Sequence, residues 1–146
     1  MSIHFVSGDI FLEKVIVHQC NCLTTNSRGF AQALFEKFPY ANIYDIHPRR
    51  QGDVYIVNDP DAKGPIAIGI MAQYYPGGPK GKDDRVTRLK YFKEGLDTLT
   101  RDEYPVISVP EKIGCSLAQG KWEDYLSVLK EFALSKEIEV RIFRRV

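Results

Sequence analysis

A short apolar run, Pro105-Val-Ile-Ser-Val-Pro110, passes through a loop of small residues, Ile113-Gly-Cys-Ser-Leu117, and then into a helical pattern that begins near Trp122. This strand, loop and helix succession constrains the chain more than any other feature, because it is the unit from which layered α/β domains are built. Small residues after a strand let main-chain N–H groups approach an anion, and the following helix N-terminus adds a favourable dipole.

The same alternation runs along the whole chain. Ile3-His-Phe-Val6 reads as a strand ending at Ser7-Gly-Asp9, and Val15-Ile-Val17 begins a second that continues through Cys20. Gly29 to Phe38 is helical, with Phe30, Leu34 and Phe38 spaced by four on one face. Pro39 and Pro48 bracket a short irregular or helical piece. Asp53-Val-Tyr-Ile-Val57 and Pro65-Ile-Ala-Ile-Gly-Ile-Met71 are strands around the turn at 58–64. The Pro- and Gly-rich stretch 74–82 is a loop. Asp83 and Asp84 suit the start of a long helix, with Val86, Leu89, Phe92, Leu96 and Leu99 as its core stripe. A last helix carries Trp122, Tyr125, Leu126, Leu129 and Phe132, and Ile138-Glu-Val-Arg-Ile142 closes the chain as a strand. The expectation is one α/β domain over 1–146 with a mostly parallel sheet, binding its ligand at the carboxyl ends of the strands.

Composition narrows the function classes. A net charge of +1 gives no long-range attraction to nucleic acid or to an anionic membrane. Arg141, Arg144 and Arg145 read as a solvated terminus rather than a groove reader. No run approaches the roughly 20 apolar residues of a membrane helix, and the first residues lack a secretory pattern, so a cytoplasmic protein is expected. Cys20, Cys22 and Cys115 lack the second pair a zinc site needs and read as reduced thiols in small buried spaces. No Gly-x-Gly-x-x-Gly follows the first strand, which argues against a dinucleotide dehydrogenase.

Several residues carry possible chemistry, each with a plainer alternative. The Asp9 carboxylate suits an adenine amino group, with Ile10 supplying a main-chain donor, and equally suits a turn cap. His18 suits a general acid or base, and equally a hydrogen-bonded core position. Asn21 suits a ligand contact or a turn. Arg28 and Gly29 at a helix start suit a phosphate, or a solvated cap.

Taken together, Val6-Ser-Gly-Asp-Ile10, the strand with Asn21, the Gly-containing helix start and Ile113-Gly-Cys-Ser-Leu117 resemble the macro domain, an ADP-ribose-binding family, nearly end to end. The segment around Asn21 and Gln73-Tyr-Tyr-Pro-Gly-Gly78 look most like the fungal ADP-ribose 1''-phosphate phosphatase branch. The resemblance implies a three-layer α/β/α fold with a mixed, mostly parallel sheet and no cofactor or metal. It implies adenine at Asp9 and Ile10 and the distal ribose at Asn21. Gly29, Phe30 and Ala31 would line the pyrophosphate, and Ile113, Gly114, Cys115, Ser116 and Leu117 would wrap it from the other side. The loop 73–78 would border the distal ribose, with Tyr74 or Tyr75 able to pack on a sugar or base. His18 and Asn21 would be catalytic, and Arg28 would meet a terminal phosphate.

Two departures qualify that picture. Ser27 and Arg28 stand where family members usually carry glycines, and Ala118 stands where glutamate-deacylating relatives carry a catalytic Asp. The implied activity is hydrolysis of ADP-ribose 1''-phosphate. The alternatives are a reader of free or protein-attached ADP-ribose without turnover, and a hydrolase acting on ADP-ribosylated protein.

Overall fold

In the computed structural model, which describes residues 2–144, six strands form one sheet in the order β1-β6-β5-β2-β4-β3. The strands are β1 Ile3–Val6, β2 Val15–Asn21, β3 Val54–Val57, β4 Ile66–Gln73, β5 Val106–Pro110 and β6 Glu139–Phe143. All neighbours run parallel except β3, which pairs antiparallel with β4 through registers such as Ile56 opposite Ile68. The helices are α1 Gly29–Lys37, α2 Arg85–Asp97 and α3 Trp122–Lys136. Single 3-10 turns at Ile10–Leu12, Pro39–Ala41 and Ile43–Asp45 fill the connections.

The period-2 alternation of β2 sorts the two layers. Val15 and Val17 point into a core shared with Phe92 and Leu96 of α2 and with Leu129 and Phe132 of α3. Ile16 and Cys20 point the other way, toward Leu34 and Phe35 of α1. The architecture is the expected three-layer one: α2 and α3 cover one face and α1 the other. The strands come from β-branched runs, and their central members Ile16, Ile68, Ile70, Ile107 and Val140 are fully buried.

Two helix expectations are corrected. Val86 is 79% exposed and is no part of the α2 core stripe. Steps of three residues drift by about 60° each, so following 92 to 89 to 86 leaves the buried face by about 120°. Steps of four stay on it, and the residue that continues Phe92 inward is Arg88, which is 2% exposed. Likewise only Asp84 caps α2, by accepting from Thr87 N at 2.8 Å. Asp83 is buried instead and serves the neighbouring loop.

Candidate functional site

The segments following β1, β5, β2 and β4 meet at one sheet edge around a cleft of about 1000 Å³. Asp9 comes from the end of β1, Phe143 from β6, the loop 111–118 from β5, Asn21 from β2 and Gln73 from β4. The strand order therefore lays these groups out in a line across the cleft. Arg28, Lys112 and Arg144 at its walls outnumber Asp9 and Glu111, an excess that suits an anionic ligand.

The middle of the line is built from main chain. The first amides of α1, at Gly29, Phe30 and Ala31, have no intrahelical acceptor, and no side chain caps them. Gly29 has φ +58°, a conformation L side chains rarely adopt, so the turn into α1 favours glycine at this position. Arg28 is extended at φ −139° and its side chain is exposed at the cleft.

Opposite lies the loop after β5, folded by Cys115 N to Lys112 O at 2.9 Å and Gly120 N to Gly114 O at 3.0 Å. Among the described residues no protein acceptor takes the amides of Gly114, Leu117 or Ala118. A Cβ on Gly29 would lie 3.6 Å from Leu117 Cδ1, so the Leu117 side chain reaches from this loop to the start of α1. Gly114, at φ +72°, sits against the Tyr125 ring so closely that a Cβ would come within 2.5 Å of it. Ile113 is buried, and Cys115, Ser116 and Leu117 complete this wall.

At the β1 end Asp9 caps the turn that follows it, its Oδ1 accepting from Phe11 N at 2.9 Å. The plainer reading of Asp9 is thus met by one oxygen, and the residue still lines the cleft beside the buried Ile10. Phe11 stacks on Phe30 at 5.8 Å, tying this end to the start of α1.

His18 and Asn21 occupy the floor. His18 is 2% exposed, lies against Phe35 and Phe30, and has Nδ1 3.4 Å from Cys20 Sγ. Burial lowers its pKa to about 4, so the imidazole is neutral at pH 7. Asn21 organises the turn after β2: Oδ1 accepts from Leu23 N and Thr24 N, both at 3.0 Å, and Nδ2 donates to Tyr44 Oη. Both line the cleft, the lowered pKa making the His18 imidazole a weak base and the Asn21 amide oxygen being engaged in its own turn. Cys115 is no better as a nucleophile, since burial pushes its thiol up to about 12.

Tyr74 lies apart from the other expected site residues. It does not line this cleft; its ring packs edge-on against Tyr75 at 4.9 Å and faces a separate shallow pocket with Lys80 and Tyr91. The cause is Asp83, whose Oδ2 accepts from the amides of both Tyr74 and Tyr75 and so turns their side chains away. Pro76, Gly77 and Gly78 border the cleft in their place.

Sequence reasoning missed Arg88, Arg49 and Gln19, the partner of Gln73. Arg88 pairs with Asp83 and donates to the carbonyls of Tyr75, Gly77, Gly78 and Ala118, joining two of the cleft loops. Arg49, 4% exposed, donates to the carbonyls of Asn21, Thr24, Tyr44 and Ile46 and holds the turn between β2 and α1. Gln19 and Gln73 lie side by side in the floor, bonded at 2.8 Å. The signal for Arg88 is its four-residue spacing from Phe92, which an arginine masks until the buried Asp83 is found. Of the expected terminal arginines, Arg141 pairs with Glu13 at 2.8 Å, Arg144 lines the cleft, and Arg145 lies outside the described residues.

No protein-family model matches the chain, and no curated protein matches it in sequence. Solved structures do match. A protein of unknown function from Bacteroides thetaiotaomicron superposes with a TM-score of 0.80 at 26% identity over 99% of each chain. The macrodomain of Mycobacterium tuberculosis DarG aligns over 99% of this chain and 98% of its own, with a TM-score of 0.71 and 15% identity. Thermosipho africanus DarTG, solved in complex with ADP-ribose, matches 99% of this chain and 42% of its own, with a TM-score of 0.71 and 15% identity. This chain has the macrodomain fold.

Proposed function

We propose that this macrodomain-fold protein binds ADP-ribose in the cleft at the carboxyl edge of its sheet. The observation that carries the reading is the pair of facing main-chain cradles, the open amides of Gly29 to Ala31 and those of Gly114, Leu117 and Ala118. Such amides stabilise a diphosphate without needing a matching number of cationic side chains. From β1 to β4 the edge spans four strand spacings, about 19 Å at ~4.8 Å each, which accommodates an extended nucleoside diphosphate sugar. The purine then lies at Asp9 and Ile10, and the terminal ribose lies over Asn21 at the ends of β2 and β4. The ADP-ribose held by the structurally similar DarTG protein supports the same choice.

Calorimetric titration with ADP-ribose tests this, with AMP, which lacks the diphosphate, as the comparison. Saturable binding of ADP-ribose that is at least tenfold tighter than AMP is expected. No binding at millimolar ligand would overturn the proposal.

A second reading, hydrolysis of ADP-ribose 1''-phosphate as in the fungal branch that the sequence resembles, is favoured by one observation: Arg28 stands exposed at the cleft beside the start of α1. Binding ranks ahead of turnover because His18 is 2% exposed between Phe30 and Phe35 and Asn21 spends its amide oxygen on its own turn. Release of inorganic phosphate from ADP-ribose 1''-phosphate, lost in Arg28→Ala, would restore the hydrolytic reading to first place. Removal of ADP-ribose from modified protein has less support, with Ala118 at the position expected to hold an acid.

A further inference from the structure

A directed chain of hydrogen bonds crosses the cleft floor between α3 and the loop after β4. Tyr125 Oη donates to Gln19 Oε1 at 2.8 Å, Gln19 Nε2 donates to Gln73 Oε1 at 2.8 Å, and Gln73 Nε2 donates to the Tyr75 carbonyl at 3.0 Å. Its direction has no freedom. A main-chain carbonyl only accepts, so Tyr75 O fixes which end of the Gln73 amide faces it. Gln73 must then present oxygen to Gln19, and Gln19 must present oxygen to the Tyr125 hydroxyl. Tyr75 itself is pinned, because its amide donates to Asp83 Oδ2 at 2.9 Å.

Each primary amide has two N–H groups and an oxygen with two lone pairs. The chain uses one N–H and one lone pair on each glutamine. Gln19 and Gln73 both line the cleft, so the floor at the ends of β2 and β4 offers two oriented donors beside two acceptors and no charge. A phosphate needs donors only. A vicinal diol donates and accepts at neighbouring atoms, which matches this floor. The strand order puts the floor at the opposite end of the cleft from Asp9, beyond the diphosphate cradles.

We infer that Gln19 and Gln73 are specificity-determining residues for the hydroxyl-bearing terminal sugar of the ligand, and that Tyr125 is their positioning residue. The inference rests on the reading that the cleft holds ADP-ribose. Tyr125 also lies under Gly114, so one side chain aligns the sugar floor with the phosphate wall.

The measurement is the ratio of ADP-ribose to ADP affinity by calorimetry, since ADP fills the purine and diphosphate positions and lacks the terminal sugar. Wild type is expected to favour ADP-ribose by about tenfold or more, the worth of one or two oriented hydrogen bonds. Gln73→Met keeps the length of the side chain without adding charge and removes the amide that donates to Tyr75 O, and should bring the ratio close to one while leaving ADP affinity within about threefold. If that variant does not fold, Tyr125→Phe keeps the ring under Gly114 and removes only the hydroxyl; it should reduce the ratio in the same direction. A structural defect alone would weaken both ligands together. An unchanged ratio in the folded variants overturns the inference and leaves ADP-ribose binding standing. So does a wild type that binds ADP as tightly as ADP-ribose. A wild type that binds neither nucleotide overturns the inference together with the reading beneath it.

Discussion

Arg88 Nη2 lies 2.8 Å from Asp83 Oδ2, with both side chains 3% exposed, and this buried pair holds two loops of the cleft in register. Arg88 spans from Gly77 and Gly78 on one loop to Ala118 on the other, while Asp83 takes the amides of Tyr74 and Tyr75 and the side chain of Gln51. The cleft's outer wall is thus set by two side chains from the start of α2 rather than by regular secondary structure.

Removing one partner leaves the other charge buried and unpaired. Arg88→Met should destabilise the fold by about 3–5 kcal/mol, read as a lower urea midpoint. Acid should act on the same pair. Burial alone pushes the Asp83 carboxyl up, but Arg88 and the amides of Tyr75 and Tyr74 together outweigh it and hold the group below its ordinary value. A carboxyl depressed in the folded state contributes its full stability above the unfolded pKa of about 4, and loses it as pH falls through the folded one. Asp83→Asn should therefore be less stable than wild type at pH 7, with the gap narrowing below about pH 4. A constant gap down to pH 2 would refute this.

Gly114→Ala places a Cβ 2.5 Å from the Tyr125 ring at a residue with φ +72°. The ring cannot retreat freely, since it also packs on Phe92 with centroids 4.8 Å apart. Strain of this kind costs roughly 1–3 kcal/mol, and relief requires the phosphate wall to move. The expected outcome is a lowered melting temperature together with at least tenfold weaker ADP-ribose binding. Gly8→Ala, whose Cβ would meet only Phe143 at 3.7 Å, is the control for stability.

His18 offers a pH signature that separates a wall residue from a catalyst. Its pKa is lowered by burial to about 4 in the folded protein, against an unfolded value of about 6.5. The unfolded chain therefore takes up the proton first, so the stability His18 contributes is full above about pH 6.5 and falls as the solution is acidified toward pH 4. Over that window the loss amounts to about 3 kcal/mol. His18→Leu should flatten this part of the stability profile, measured by denaturant midpoints at several pH values. With three histidines in the chain, the His18 imidazole resonance is the one that disappears in His18→Leu, and its titration near pH 6.5 in the native protein would contradict this assignment.

The layers were legible because they depend on local periodicity. Alternation along Ile3–Val6 and Val15–Cys20, and spacing by four at Phe30, Leu34 and Phe38, report which side of each element faces apolar neighbours. The positions of the cleft-forming loops followed from where those strands end. Side-chain direction inside the loops was not legible. Tyr74 points away from the cleft because Asp83, nine positions later, captures its amide. Val86 was misplaced for a related reason, since an arginine on an inward stripe looks like an interruption until its buried carboxylate is found.

Sequence alone determined the α/β layering, the parallel run of strands and the small-residue loops at their carboxyl ends, all set by interactions between near neighbours in the chain. Tertiary structure decided which polar groups are left over to meet a ligand. Hydrogen-bond capacity is consumed across long separations, as Tyr125 consumes one lone pair of Gln19 from 106 positions away. Only the folded arrangement shows that the His18 ring is packed between Phe30 and Phe35 at the cleft floor, beside the side chains of Gln19 and Gln73 and below the open amides of Gly29 and Gly114.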